Sequence, residues 1–224
     1  MGCEVVCMLD RWEDYHPIQE MGVVTEINSR WPLGQKWNRG YEIAKKMNPD
    51  AVLHLGSDDW FTENYCDYIK EWLTDHEIVG IGDYHFAHFD FKINRQWDGY
   101  DVSKALCKKS IVYWPGYDIE KYSHRENEPV GGGRLIRSDF LDMINWQPFD
   151  SKTFKNLDYQ MASKCKEAGC YMKAIKDGNI KAVSITTNLW PCKNGYLKMK
   201  DSGNELADEF IDKHFPEINE IWSA

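Results

Sequence analysis

Two rhythms of apolar and polar positions alternate along the first third of the chain. Residues 4–9 (EVVCML) form a short apolar run with β-branched side chains, which predicts a buried strand. Residues 10–19 are polar and aromatic and contain Pro17, so they predict a loop or a single helical turn. Residues 22–27 (GVVTEI) predict a second strand. From 35 to 47 the period becomes helical: Trp37, Tyr41 and Ala44 share one face, with Lys36, Arg39, Lys45 and Lys46 elsewhere. Asn48-Pro49-Asp50 stops that helix. Residues 51–55 (AVLHL) are apolar almost throughout and predict an interior strand. Thr62 is placed to cap a helix reaching about residue 75, with Tyr65, Tyr68, Ile69 and Trp72 on one face. Residues 77–82 (EIVGIG) predict a fourth strand.

The second part is less periodic. Residues 83–122 are aromatic and predict two or three short strands, among them 87–93 and 110–114. Gly131-Gly132-Gly133 predicts a tight loop ahead of a strand at Arg134-Leu135-Ile136. Ser138 is placed to cap a helix to about 145. A further helix spans about 157–168 and is stopped by Gly169. Residues 171–175 and 182–186 predict late strands, and 205–214 a last helix ended by Pro216. Strand and helix alternating with short links implies an α/β fold, a central mostly parallel sheet flanked by helices. No repeat, low-complexity tract or long linker divides the chain, so 1–224 reads as one domain.

Composition narrows the function classes. The 27 Lys and Arg against 36 Asp and Glu give a net charge of -9, which disfavours a general binder of nucleic acid or anionic membranes. A local basic patch at Lys104, Lys108, Lys109, Lys121 and Arg125 could offset this. No apolar run reaches the ~18–20 residues of a membrane span. Seven Cys, irregularly spaced and without C-x-x-C, argue against a zinc ribbon or a disulfide framework and for free thiols in a reducing compartment. The first nine residues lack the positive n-region of a secretion signal. The expectation is a soluble cytoplasmic protein. Ten Trp and twelve Tyr are many, and such rings either fill cores or line sugar and base sites.

The sharpest candidate chemistry is Leu53-His54-Leu55-Gly56-Ser57-Asp58-Asp59, an apolar strand ending in two adjacent carboxylates. Ligands of open α/β sheets bind beyond the carboxyl ends of strands. Paired acids there repel each other unless a positive group lies beside them, and hard oxygen ligands suit Mg²⁺ or Mn²⁺. Such a cation would draw a diphosphate. The plainer reading is that Ser57 to Asp59 cap the next helix.

Four segments in order resemble the GT-A type of nucleotide-sugar-dependent glycosyltransferase, closest to the family 2 group. They are Lys36-Trp37-Asn38-Arg39-Gly40, like that group's N-x-G helix; Pro49 through Asp59, like its acidic D-x-D motif in the form S-D-D; Gly131-Gly132-Gly133-Arg134-Leu135-Ile136-Arg137, like its glycine loop and strand; and Asn156-Leu157-Asp158-Tyr159-Gln160, like the acidic motif that supplies its catalytic base. The resemblance spans about residues 36 to 165. It implies a Rossmann-like GT-A sandwich with a nucleotide-sugar half at about 1–83 and an acceptor half at about 84–224. It implies a metal-dependent, inverting transfer of a sugar from a nucleoside diphosphate to an acceptor hydroxyl. Asp59 is then the metal ligand and Asp158 the general base. Asn38, Ser57, Asp58, Gly132 and Gly133 are then donor-binding, and Mn²⁺ or Mg²⁺ is the cofactor. A uridine diphosphate sugar is the family's commonest donor. The acceptor is open between a glycan, a protein side chain, a small molecule and a hydroxymethylated DNA base.

The sequence also departs from that pattern. Only about ten residues separate the first two strands, where the family has a long helix, and Ser57 stands where a D-x-D has its first acid. Asp158 also reads as a first-turn acid favourable to the helix dipole, and the glycines as a plain turn. No G-x-G-x-x-G or P-loop is present. His54 reads as core. His85 and His88, three apart on a strand, face opposite ways and so argue against a shared metal; His214 is the one late His. The rings of Trp97, Tyr100, Tyr113, Trp114, Tyr117 and Trp190 either stack on a ligand or pack the core, and 188–195 reads as a lid. Two other functions stand beside the transferase. One is a non-catalytic sugar- or nucleotide-binding module on the same fold. The other is a nucleotidyltransferase, for which Asp10-Arg11-Trp12-Glu13-Asp14 after the first strand is poor in glycine and basic residues.

Overall fold

The computed structural model describes residues 4–9, 15–20, 22–27, 31–88, 96–97, 100–101, 110–153, 156–185, 201–202 and 204–219. The chain divides into two compact units, each built from three stretches. The first comprises Met1–Leu53, Leu73–Ile78 and Leu135–Met172; the second comprises His54–Trp72, Val79–Arg134 and Lys173–Ala224.

The elements run β1 (Val6–Leu9), α1 (Tyr15–Glu20), β2 (Val24–Ile27), α2 (Leu33–Lys45), β3 (Ala51–His54), β4 (Asp59–Phe61), α3 (Tyr65–Ile69), a 3₁₀ turn (Lys70–Thr74), β5 (Ile78–Ile81), β6 (Tyr84–His88), β7 (Gln96–Trp97), β8 (Tyr100–Asp101), β9 (Ser110–Trp114), β10 (Arg134–Arg137), α4 (Ser138–Met143), α5 (Leu157–Glu167), β11 (Met172–Ile175), β12 (Ala182–Ile185), β13 (Asp201–Ser202) and α6 (Asn204–His214).

In the first unit, β1 and β2 pair in parallel as the two apolar runs predict, and the stretch between them, expected to be a loop or a single helical turn, carries the short helix α1. Helix α2 sits close on β1, because Gly40 brings no side chain: a Cβ there would lie 3.2 Å from Met8 Cγ. Tyr41 and Ala44 of α2, Phe140 and Leu141 of α4, and Met161, Ala162 and Cys165 of α5 fill one core with Trp146 and Phe149. Helix α5 ends as its glycine requires. Gly169 takes a positive φ of 71°, its N–H donates to Lys166 O, and the Cys170 N–H reaches back to Cys165 O, the paired bonds of a Schellman motif.

The second unit carries a five-stranded sheet in the order β13-β9-β6-β12-β4. Only β6 and β12 pair in parallel; β13 with β9, β9 with β6, and β12 with β4 are antiparallel. A four-stranded sheet has the order β11-β5-β10-β3, and β7 pairs with β8 antiparallel. The architecture is therefore mixed α/β, with small sheets in place of the expected central, mostly parallel one. Three of the four pairings of the five-stranded sheet are antiparallel, and antiparallel neighbours need no crossover helix. Ala87, Ile111, Val183, Ile211, Phe215 and Ile218 form the core beneath the five-stranded sheet.

Two caps differ from expectation. The segment after Asp59 continues as strand β4, and the helix begins only at Tyr65, with Asn64 in the capping position. The Thr62 hydroxyl instead accepts the Lys181 N–H at 3.2 Å. Ser138 is already inside α4, whose cap is Arg137, and its hydroxyl donates to Pro49 O. Each side chain is drawn to a backbone group from a distant stretch, which local sequence does not reveal. Among the described residues no helix is long and apolar enough to cross a membrane.

Candidate functional site

The apolar strand β3 ends at His54, and Gly56-Ser57-Asp58 turns the chain into β4, which starts at Asp59. Antiparallel pairing sets Asp59 opposite Ser184 of β12. The Ser184 hydroxyl, 5% exposed, donates to Asp58 Oδ2 at 3.0 Å. The Asp59 carboxylate accepts two hydrogen bonds, from the Gly56 N–H to Oδ2 at 2.9 Å and from the Tyr84 hydroxyl to Oδ1 at 2.8 Å. Both carboxylates crowd the same point: a Cβ on Gly56 would lie 2.6 Å from Asp59 Oδ2 and 3.0 Å from Asp58 Oδ1.

The glycine loop closes on this pair. A Cβ on Gly132 would stand 2.3 Å from Asp59 Oδ2, so only glycine fits there without moving the carboxylate. Gly133 needs its glycine twice, for a φ of 80° and for a Cβ that would lie 2.4 Å from the Phe61 ring. Three bonds hold the loop. The Gly133 N–H donates to His54 O at 2.8 Å, the Tyr65 hydroxyl donates to Gly133 O at 2.6 Å, and the Ile81 N–H donates to that same hydroxyl at 3.2 Å. A buried staple lies just before it. Arg134, 1% exposed, donates to Val130 O, Pro129 O and Glu128 Oε1, while Arg125 donates to both oxygens of the Glu128 carboxylate and lies 3.7 Å over the Tyr117 ring.

The electrostatics are unbalanced. Burial, then the Asp58 charge, pushes the Asp59 carboxyl above its usual range, against the pull of the Tyr84 and Gly56 hydrogen bonds and of the neighbouring Ser184 hydroxyl, which itself donates to Asp58. Burial, then Asp59, drives the Tyr84 phenol well above its ordinary value, so it stays a donor. His54 brings no charge: burial, then Arg134, pulls its pKa down to about 3. The guanidinium of Arg134 is committed to Glu128. Apart from burial, the main influences on the protonation of Asp59 are one acid, Asp58, and the neutral donors Tyr84, Gly56 and Ser184.

Ser57, Asp58, Asp59, Gly132 and Gly133 thus come together in the second unit. Asn38 and Asp158 belong to the first unit. Asn38 is 3% exposed and spends its amide on backbone, donating to Phe149 O at 2.8 Å and accepting the Phe149 N–H at 3.1 Å. Asp158 stands exposed in the first turn of α5. His85 is a packed ring, 4.2 Å from Phe210 and 5.0 Å from Tyr113, and burial lowers its pKa to about 4. Tyr113 donates to Asp83 at 2.7 Å. The lysines at 104, 108 and 109, the lid 188–195, and the side chains of Trp97, Tyr100 and His88 lie outside the described residues. Tyr84, Ser184 and Tyr65 are the site residues that sequence reasoning did not single out; strand pairing alone brings Tyr84 and Ser184 to the acids.

Mn²⁺ or Mg²⁺ takes oxygen ligands and often relies on one or two carboxylates plus substrate phosphates. The donor set of Asp58, Asp59 and the Ser184 hydroxyl is of the oxygen type that this chemistry uses, with Asp58 exposed and Asp59 half-buried. Among the described residues no group of three or more His, Cys, Asp or Glu is gathered to hold a metal without such help. The cysteines at 7, 66, 165 and 170 are free thiols. No family model matches the sequence, and no curated protein matches it.

Proposed function

We propose that the chain is a metal-dependent, inverting glycosyltransferase of the GT-A type, moving a sugar from a nucleoside diphosphate to an acceptor hydroxyl. The observation that carries this reading is the Asp58–Asp59 pair at the end of β3, Asp58 exposed and Asp59 half-buried under a glycine loop, with neutral hydrogen-bond donors on both carboxylates. A divalent cation with a diphosphate completes such a site electrostatically. When bound, the cation supplies positive charge to the leaving diphosphate.

The chain's own residues do the rest. Asp59, with Asp58 beside it, holds the cation through oxygen. The backbone at Gly132 and Gly133, free of side chains, lets the donor approach closely. The acceptor oxygen attacks the anomeric carbon, the bond from that carbon to the diphosphate oxygen breaks, and its electron pair leaves with the diphosphate. Asp158 takes the acceptor's proton. A single displacement of this kind inverts the anomeric centre. A second reading, a binding module without turnover, draws support from Asp59 itself, since both of its oxygens already accept a protein hydrogen bond.

The test is a thermal-shift and calorimetric series of nucleoside diphosphates and their sugars, with and without Mn²⁺, on wild type and Asp59→Ala. Mass action predicts a rise in melting temperature for a specific binder. Stabilisation that needs Mn²⁺ and vanishes in Asp59→Ala supports the site, and released nucleoside diphosphate separates transferase from binding module. A wild-type protein that no nucleotide stabilises under any metal condition overturns the reading.

A further inference from the structure

Strand β12 reads Ala-Val-Ser-Ile, and Ser184 is its one polar side chain. Val183 lies in the core with Ala87, Ile111 and Ile211, so the alternation of a strand turns Ser184 to the opposite face. Its backbone is fixed on both sides, paired with Asp59 of β4 and with Phe86 of β6. Ser184 is buried, yet its hydroxyl donates at 3.0 Å to Oδ2 of Asp58, an exposed residue. A buried hydroxyl needs a partner, and this one commits its only proton to a carboxylate that water would otherwise solvate. Packing alone would be served as well by alanine.

The bond leaves the acid pair uneven. Both oxygens of Asp59 accept protein hydrogen bonds, one from Gly56 and one from Tyr84. Asp58 Oδ2 is taken by Ser184. Among the described residues no protein donor reaches Asp58 Oδ1, which belongs to the exposed member of the pair. We propose that Ser184 is a positioning residue for donor binding: by pinning Oδ2 it fixes the Asp58 carboxylate and leaves Oδ1 as the acceptor offered to the donor. This rests on the donor site of the proposed function and goes beyond it in naming what orients Asp58. An exposed aspartate otherwise samples several rotamers, and ordering it on binding costs affinity. A hydrogen bond from a strand paired on both sides moves that ordering from the binding step to folding.

The experiment is a double-mutant cycle on the full chain, with Ser184→Ala, Asp58→Ala and the two together. Calorimetry measures binding of the uridine, guanosine, cytidine, adenosine and thymidine diphosphates in turn, each with Mn²⁺. Against the nucleotide that wild type binds, Ser184→Ala is expected to lose about fivefold or more. Ser184→Thr, which keeps the hydroxyl, should restore binding to within about twofold, and Asp58→Ala with Ser184→Ala should bind as Asp58→Ala alone does. A serine that acts only through packing adds its full loss to that of Asp58→Ala, and that result overturns the proposal. So does a folded Ser184→Ala protein, or an Asp58→Ala protein, that binds as wild type does. A wild type that binds none of the five diphosphates with Mn²⁺ overturns the proposed function, and this inference with it.

Discussion

Gly132 and Asp59 are in direct apposition: a Cβ on Gly132 would fall 2.3 Å from Asp59 Oδ2 and 2.9 Å from its Cγ. The carboxylate cannot step aside without giving up the Gly56 N–H or the Tyr84 hydroxyl. Gly132→Ala is therefore expected to lose about 1–3 kcal/mol, the usual range for overpacking, and to weaken Mn²⁺-dependent nucleotide binding. Gly178→Ala is the control. Its φ of 79° makes alanine strained, but nothing lies within 4 Å of the added Cβ. It should lose about 1–2 kcal/mol from backbone strain alone and bind as wild type does. Urea denaturation and calorimetry of the two variants check this; equal binding losses would remove Gly132 from the site.

The raised carboxyl of Asp59 predicts a pH dependence of stability. The folded state holds this proton more tightly than the unfolded state, in which an aspartate titrates near 3.9. The group's favourable contribution is therefore complete below that value, declines as pH rises toward the folded pKa, and is gone above it. At neutral pH the charged Asp59 is a burden. In Asp59→Asn the amide can accept the Gly56 N–H through its oxygen and donate through its nitrogen to the Tyr84 hydroxyl. The variant is expected to melt higher at pH 7, by about 2–4 °C for each kcal/mol relieved, and to converge on wild type below about pH 4. Thermal denaturation in metal-free buffer across pH 3–8 is the measurement. A lower melting temperature at pH 7 would contradict it.

The strands β1, β2, β3 and β5 are legible in the sequence, because each is a short β-branched run bounded by polar or glycine turns. Helices α2 and α5 are legible from their period and their stops at Asn48 and Gly169. Pairing is not. β4 is three residues long and exists because β12 lies beside it, so the stretch after Asp59 reads as helix when taken alone. The same pairing brings Ser184 to Asp58 across 126 positions and Tyr84 to Asp59 across 25. The acids themselves were visible as an abrupt charge at the end of an apolar strand. The hydroxyls that orient them belong to strands whose neighbours no local pattern specifies.

Glu128 and Arg134 form a pair whose side chains are each 1% exposed, and Glu128 is also the acceptor for Arg125. Glu128→Gln keeps the shape but leaves a buried guanidinium without its counter-charge. Breaking one side of a buried pair typically costs about 3–5 kcal/mol, and the surviving amide oxygen should bring this case to about 3. The midpoint of urea unfolding should fall accordingly. A loss below about 1 kcal/mol would mean that the carbonyls of Val130 and Pro129 suffice for Arg134.

Asp158 separates two roles that local structure makes equally natural. It lies in the first turn of α5 with its side chain exposed, while Met161, Ala162 and Cys165 of the same helix are buried in the core. A first-turn acid of this kind contributes about 0.3–1 kcal/mol through the helix dipole, and that contribution is insensitive to any substrate. A general base contributes about 10²–10⁴-fold to turnover and little to donor affinity. Asp158→Asn distinguishes them because the amide keeps the volume and loses both the charge and the basicity. In the transferase, Mn²⁺-dependent nucleotide binding should persist within about twofold, melting should drop by a few degrees at most, and transfer should fall by about 10²-fold or more. Wild-type turnover together with a small loss of stability would leave Asp158 as a dipole-stabilising residue and return the search for the base to other carboxylates.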